Sequence, residues 1–94
     1  MQQIINRQKY DTETATLIAS DRYWDGSNWE RSGRNTYLYK TAKGNYFAHH
    51  TTCWQGESNT IQALTSDEAK DLYEDLREHD LDFEAAFGEK PEDA

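Results

Sequence analysis

Thr36-Tyr37-Leu38-Tyr39-Lys40-Thr41-Ala42-Lys43-Gly44-Asn45-Tyr46-Phe47-Ala48-His49-His50-Thr51 is the stretch whose reading decides the fold. Residues 36–40 and 45–51 are rich in aromatic and β-branched side chains, which predicts two strands. The link 41–44 between them is short and ends on Gly44, which predicts an antiparallel hairpin. Downstream, Asn59-Thr60-Ile61-Gln62-Ala63-Leu64 alternates polar and apolar and reads as a third strand. Upstream, Ile4-Ile5 leading into Asn6-Arg7-Gln8-Lys9-Tyr10 reads as one short strand or extended arm.

Helices are expected on either side of this β-rich middle. Asp11-Thr12 offers an N-cap, and Ala15, Ile18, Ala19 and Arg22 recur at helical spacing, which predicts a helix over 12–23. Residues 24–35 have the Gly, Ser, Asn and Asp content of a loop. Thr65-Ser66-Asp67-Glu68 is a capping box, and Ala69, Leu72, Tyr73 and Leu76 form the inward stripe of a second helix. Asp80-Leu81-Asp82 marks a break before Phe83, Ala86 and Phe87, a cluster ending at Gly88. The order predicts a single α+β domain over 1–88, with a small antiparallel sheet of three to four strands covered by two helices. Residues 89–94 read as a disordered acidic tail.

The chain has 94 residues, 35% of them apolar and 13% aromatic, enough for one modest core in which Trp, Tyr and Phe carry most of the burial. No run approaches a membrane span and no signal-peptide pattern opens the sequence, so a soluble, cytoplasmic protein is expected. The single cysteine, Cys53, fits a reducing compartment.

Charge is distributed very unevenly. Residues 65–94 hold twelve acids against three cations, a net −9, while residues 1–64 sum to +1. The negative surplus opposes binding to nucleic acid or an anionic membrane and favours a basic protein surface as partner. On a helix continuing through this segment, Asp67, Asp71, Glu74 and Glu78 form one row of carboxylates and Asp71, Asp75, Glu78 and Asp82 an adjacent one. Successive acids then stand about 6 Å apart along the axis, a spacing that imitates the phosphates of a nucleic-acid strand. A solvated outer face is the simpler reading, but a helix selected only for stability would intersperse more lysine among acids that repel one another. Asp67, Asp71, Glu74, Asp75, Glu78 and Asp82 are therefore the candidate partner-binding residues.

Trp24, Trp29, Arg31 and Arg34 make a second candidate, a binding loop of the residue types enriched at interface hot spots, suited to an adaptor or ligand-binding module. His49, His50 and Cys53 suggest a metal at first sight. Adjacent residues on a strand point to opposite faces, so the two histidines cannot converge and no metal is expected. His79 falls on the acidic helix, where local electrostatics accounts for it. No nucleophile elbow, phosphate-binding loop or dinucleotide fingerprint appears, so neither catalysis nor a cofactor is expected.

Several segments together resemble a group of small proteins of phage and other mobile elements: Ile4-Ile5-Asn6 with Lys9-Tyr10-Asp11-Thr12-Glu13-Thr14-Ala15, Tyr37-Leu38-Tyr39-Lys40-Thr41 with Gly44-Asn45-Tyr46-Phe47, Leu64-Thr65-Ser66-Asp67-Glu68-Ala69, and Phe87-Gly88. The resemblance implies an α+β fold and a mobile-element origin, and carries over no catalytic residue. By analogy of size, charge and origin it points to an anti-defence inhibitor, such as an anti-CRISPR protein that imitates nucleic acid.

Overall fold

The computed structural model describes residues 1–21, 34–52 and 55–93. The central hairpin forms as expected. Strand β4 (Arg34–Lys40) pairs with β5 (Tyr46–Thr52), with Leu38 opposite Ala48 and Tyr39 opposite Phe47. Gly44 adopts φ +90°, and the turn is closed by the Thr41 N–H donating to the Asn45 carbonyl at 2.8 Å. Strand β6 (Thr60–Leu64) continues the antiparallel ladder on the other side of β5.

Two corrections concern the N-terminal third. The opening segment is a hairpin of its own, β1 (Gln2–Ile5) and β2 (Gln8–Asp11), rather than one arm. Asn6 and Arg7 join the strands at φ 51° and 65°, the positive values that a two-residue type I′ turn requires. Over its described residues, 12–21, the helix expected at 12–23 is replaced by strand β3 (Thr16–Ser20), while residues 22 and 23 lie outside the described residues. Asp11 still caps one turn, its carboxylate accepting from the Glu13 N–H at 3.0 Å and its carbonyl from the Ala15 N–H at 3.1 Å. Beyond it, pairing with β4 outweighs the weak helical periodicity. A register shift between Leu17 and Ala19 lets Ile18 and Ala19 both be buried, imitating an i, i+1 pattern that neither regular period predicts.

The C-terminal half holds α1 (Ser66–Asp75), the two-residue strand β7 (Glu78–His79) and α2 (Phe83–Phe87). The capping box is present in full: Thr65 Oγ1 accepts from the Glu68 N–H at 3.1 Å, and Glu68 Oε1 from the Thr65 N–H at 2.9 Å. Helix α2 starts on the Asp82 side chain, which accepts from the Ala85 N–H at 2.7 Å, and stops at Gly88 in the left-handed conformation. The class is thus α+β, but among the described residues the main sheet has five strands in the order β6-β5-β4-β3-β7, with β1-β2 forming a separate two-stranded sheet.

Each face of the main sheet has its own core. On one, α1 and α2 lay Ala69, Tyr73, Leu76 and Ala86 over Ile18, Leu38 and Tyr46. On the other, Tyr10 of the small hairpin packs against Phe47 and Ile61, with Ile5, Tyr39 and Ala63 around them. The Tyr46 hydroxyl ties the first core together by donating to the Ala86 carbonyl at 3.1 Å.

Candidate functional site

Helix α1 presents Asp67, Asp71, Glu74 and Asp75 to solvent while Ala69 and Tyr73 face the sheet. The two carboxylate rows are shorter than a continuous helix would give, because α1 ends when Leu76 turns extended and buries its side chain. Glu78 consequently lies in β7 and Asp82 at the N-cap of α2, so neither belongs to the α1 rows, although both are exposed. Asp82 already has a structural task in capping α2.

Where the chain folds back from α1 to α2, it leaves an open groove of about 720 Å³. Tyr73, His79 and Phe83 line it with aromatic surface, and Asp67, Asp71, Glu74 and Glu92 supply carboxylates. His79 is not on the acidic helix. It sits in β7, stacks on Tyr73 at 3.9 Å between ring centroids, and donates from Nε2 to the Tyr73 carbonyl at 2.9 Å. Tyr73 donates its hydroxyl to the Leu81 carbonyl at 2.9 Å, and burial, aided by the charge of Asp82, raises its pKa so that the donor proton is kept.

Lys70 also lines this groove, yet its charge is already engaged. Its ammonium donates to the Glu89 carboxylate, and the same Nζ stands 6.0 Å from the Phe87 ring centroid. The hydrogen bond to Glu89 raises the Lys70 pKa above the ordinary lysine range, fixing the ion pair in its charged form. Lys70 thus bonds Glu89 rather than Asp67, Asp71 or Glu74, although the charge of Asp67 also helps to raise its pKa.

The other candidates divide differently. Trp24, Trp29, Arg31, Cys53 and Trp54 lie outside the described residues, while Arg34 opens β4 with its backbone opposite Thr52. The two adjacent histidines do face opposite ways. His50 Nε2 donates to Gln62 Oε1 at 3.1 Å and its Nδ1 accepts from the Thr36 hydroxyl at 3.3 Å. His49 lies beside Tyr37 and Tyr39, with ring centroids 6.0 and 6.5 Å away. Among the described residues no three His, Cys, Asp or Glu side chains converge as a metal site.

His49 was not singled out by its sequence context beyond the metal question, yet it has the most unusual environment of the three histidines. Its Nε2 is buried without a hydrogen-bond partner among the described residues. Burial pushes its pKa below the ordinary imidazole range, with smaller contributions from the N-terminal ammonium and His50. The unfolded chain therefore binds a proton more readily than the folded one, and stability is lost as pH falls below about 6.5. We expect His49→Phe to flatten the decline in melting temperature between pH 7 and 5 while keeping a ring beside Tyr37. An unchanged slope would assign the acid sensitivity to other groups.

No protein-family model, curated protein or solved structure matches the chain. Among the described residues no helix is long and apolar enough to cross a membrane.

Proposed function

We propose that the protein is a small, non-enzymatic inhibitor from a phage or mobile element that docks its acidic helix on a basic protein surface. It occupies the nucleic-acid channel of a host defence complex, such as a CRISPR effector, in place of the nucleic acid. The observation supporting this reading is the exposed set Asp67, Asp71, Glu74 and Asp75 on α1, whose neighbouring Lys70 is occupied by Glu89, while Glu78 in β7 and Asp82 at the start of α2 are exposed outside that helix. Carboxylates at this spacing attract lysine and arginine side chains through the same Coulomb term that phosphates use, and accelerate encounter at low salt. The half-buried Phe83 ring beside them gives an arginine side chain a place to stack once it has arrived.

The test is the quadruple variant Asp71→Asn, Glu74→Gln, Asp75→Asn, Glu78→Gln, measured by calorimetry against the target identified by affinity capture from the host. At about 0.5 kcal/mol for each exposed charge contact, affinity should fall by on the order of 2 kcal/mol, about thirty-fold, with a shallower salt dependence. The melting temperature should hold or rise, since like charges four apart on α1 no longer repel. Unaltered affinity in the quadruple variant would refute the acidic-face reading.

A further inference from the structure

A second groove lies on the hairpin side of the main sheet, away from α1, and its chemistry is the reverse of the acidic face. It has a volume of about 350 Å³ and is bounded by the β1–β2 turn on one side and the β4–β5 turn on the other. Arg7, Lys9 and Lys43 line it together with Thr14, Thr41 and Asn45, and no carboxylate does. Lys9 has a distant partner in Asp11 at 3.9 Å, whereas among the described residues Arg7 and Lys43 have no ion-pair partner. In a chain of net charge −8, three of the ten cations converge on one small cavity whose other lining residues, apart from Ala42, carry a hydroxyl or an amide.

The backbone adds an independent observation. Arg7 occupies the second position of the β1–β2 turn at φ 65°, where glycine is the residue that fits without strain. A non-glycine residue held in the left-handed region stores strain that the rest of the fold must offset. The hairpin would close more easily with glycine there, so the guanidinium serves something other than the turn.

We infer that this groove binds a compact phosphate-bearing anion, with Arg7 as the bidentate ligand and Lys9 and Lys43 as flanking charges. A guanidinium presents paired N–H donors that match two phosphate oxygens, and ammonium groups add point charges that need no fixed direction. Thr41 Oγ1 accepts from the Asn45 N–H at 3.0 Å, which leaves its own O–H to donate to a bound oxygen. The volume falls within the range of small-molecule sites. A long polyanion is disfavoured because most of the chain's surface charge repels it, whereas a small anion inside the groove is screened from acids more than about 8 Å away at physiological salt. This inference does not depend on the acidic-face reading, since it concerns other residues on the other side of the sheet.

Inorganic pyrophosphate, titrated into the full chain and followed by amide chemical shifts, is the direct probe. Saturable shifts confined to residues 6–10 and 41–45 are expected, and their absence at millimolar ligand overturns the proposal. Arg7→Gly should weaken pyrophosphate binding at least tenfold while raising the melting temperature by a few degrees, a combination that a purely structural arginine does not give. Lys43→Gln, which leaves the strained turn intact, should weaken binding by a smaller factor. Undiminished affinity in Arg7→Gly removes the site. Tighter binding of a single-stranded oligonucleotide than of pyrophosphate, measured in parallel at the same salt, overturns the restriction to compact anions.

Discussion

Replacing Phe47 with alanine is expected to remove about 3–5 kcal/mol of unfolding free energy, the usual range for deleting a fully buried ring. Phe47 is 0% exposed on the face that the small hairpin covers. It stacks on Tyr39 with centroids 5.1 Å apart and packs edge to face with Tyr10 at 5.5 Å. The alanine variant loses both ring contacts and leaves a cavity between two sheets that share no covalent turn at that point. Against a total stability of roughly 5–15 kcal/mol for an ordinary domain, this leaves a chain close to its unfolding threshold. Phe47→Leu keeps most of the apolar volume and loses chiefly the aromatic pair energies, each about 0.5–1.5 kcal/mol. Urea unfolding followed by circular dichroism separates the two variants. Equal losses for alanine and leucine would show that ring geometry, rather than volume, holds the hairpin down.

Tyr73→Ala should cost a comparable amount, about 3–5 kcal/mol, but with its damage concentrated on the acidic side. Tyr73 meets Phe83 at 5.8 Å and Phe87 at 5.6 Å, both edge to face, besides stacking on His79. Helix α2 has only five residues, far too few to persist unless packed in place. Without Tyr73 it keeps the Tyr46 hydrogen bond to Ala86 but loses its central contact, and the groove beside α1 loses its lining. Tyr73→Phe retains the ring and removes one hydrogen bond to Leu81, a change of about 1 kcal/mol. Amide hydrogen exchange is the discriminating measurement. In Tyr73→Ala, protection over 83–88 should disappear before protection in β4 and β5 does. Uniform loss across the chain would mean that α2 and the sheet unfold as one unit.

The parts legible from sequence were those whose signal is local. The β4–β5 hairpin, the β6 alternation, the Thr65 capping box and the Gly88 stop each depend on residues within a few positions of one another, and each forms where expected. The misread parts depend on distant pairing. Strand β3 has helix-like spacing at Ala15, Ile18 and Ala19, yet its conformation is fixed by β4 and β7, which lie well downstream. The β1–β2 turn escaped because Asn6-Arg7 lacks the glycine that usually announces a two-residue turn. At the acidic face, the identity of the exposed α1 carboxylates was readable from periodicity, while the end of the helix at Asp75 was not. No glycine or proline marks that end, and only the burial of Leu76 in the core explains it.

Strand β3 is finished by residues made long after it. Its carbonyl at Ile18 accepts from the N–H groups of Asp80 at 2.8 Å and Leu81 at 3.2 Å, and β7 supplies the rest of that border. A chain emerging from the ribosome at roughly 5–20 residues per second therefore carries β3 with one side unpaired for several seconds before its last neighbour appears. An unpaired strand edge is a template for pairing with another nascent chain, so crowded synthesis on one messenger exposes this protein to association between copies. The acids that follow α1 arrive together with the missing strand, so electrostatic repulsion between copies reaches its full strength only as that edge is closed.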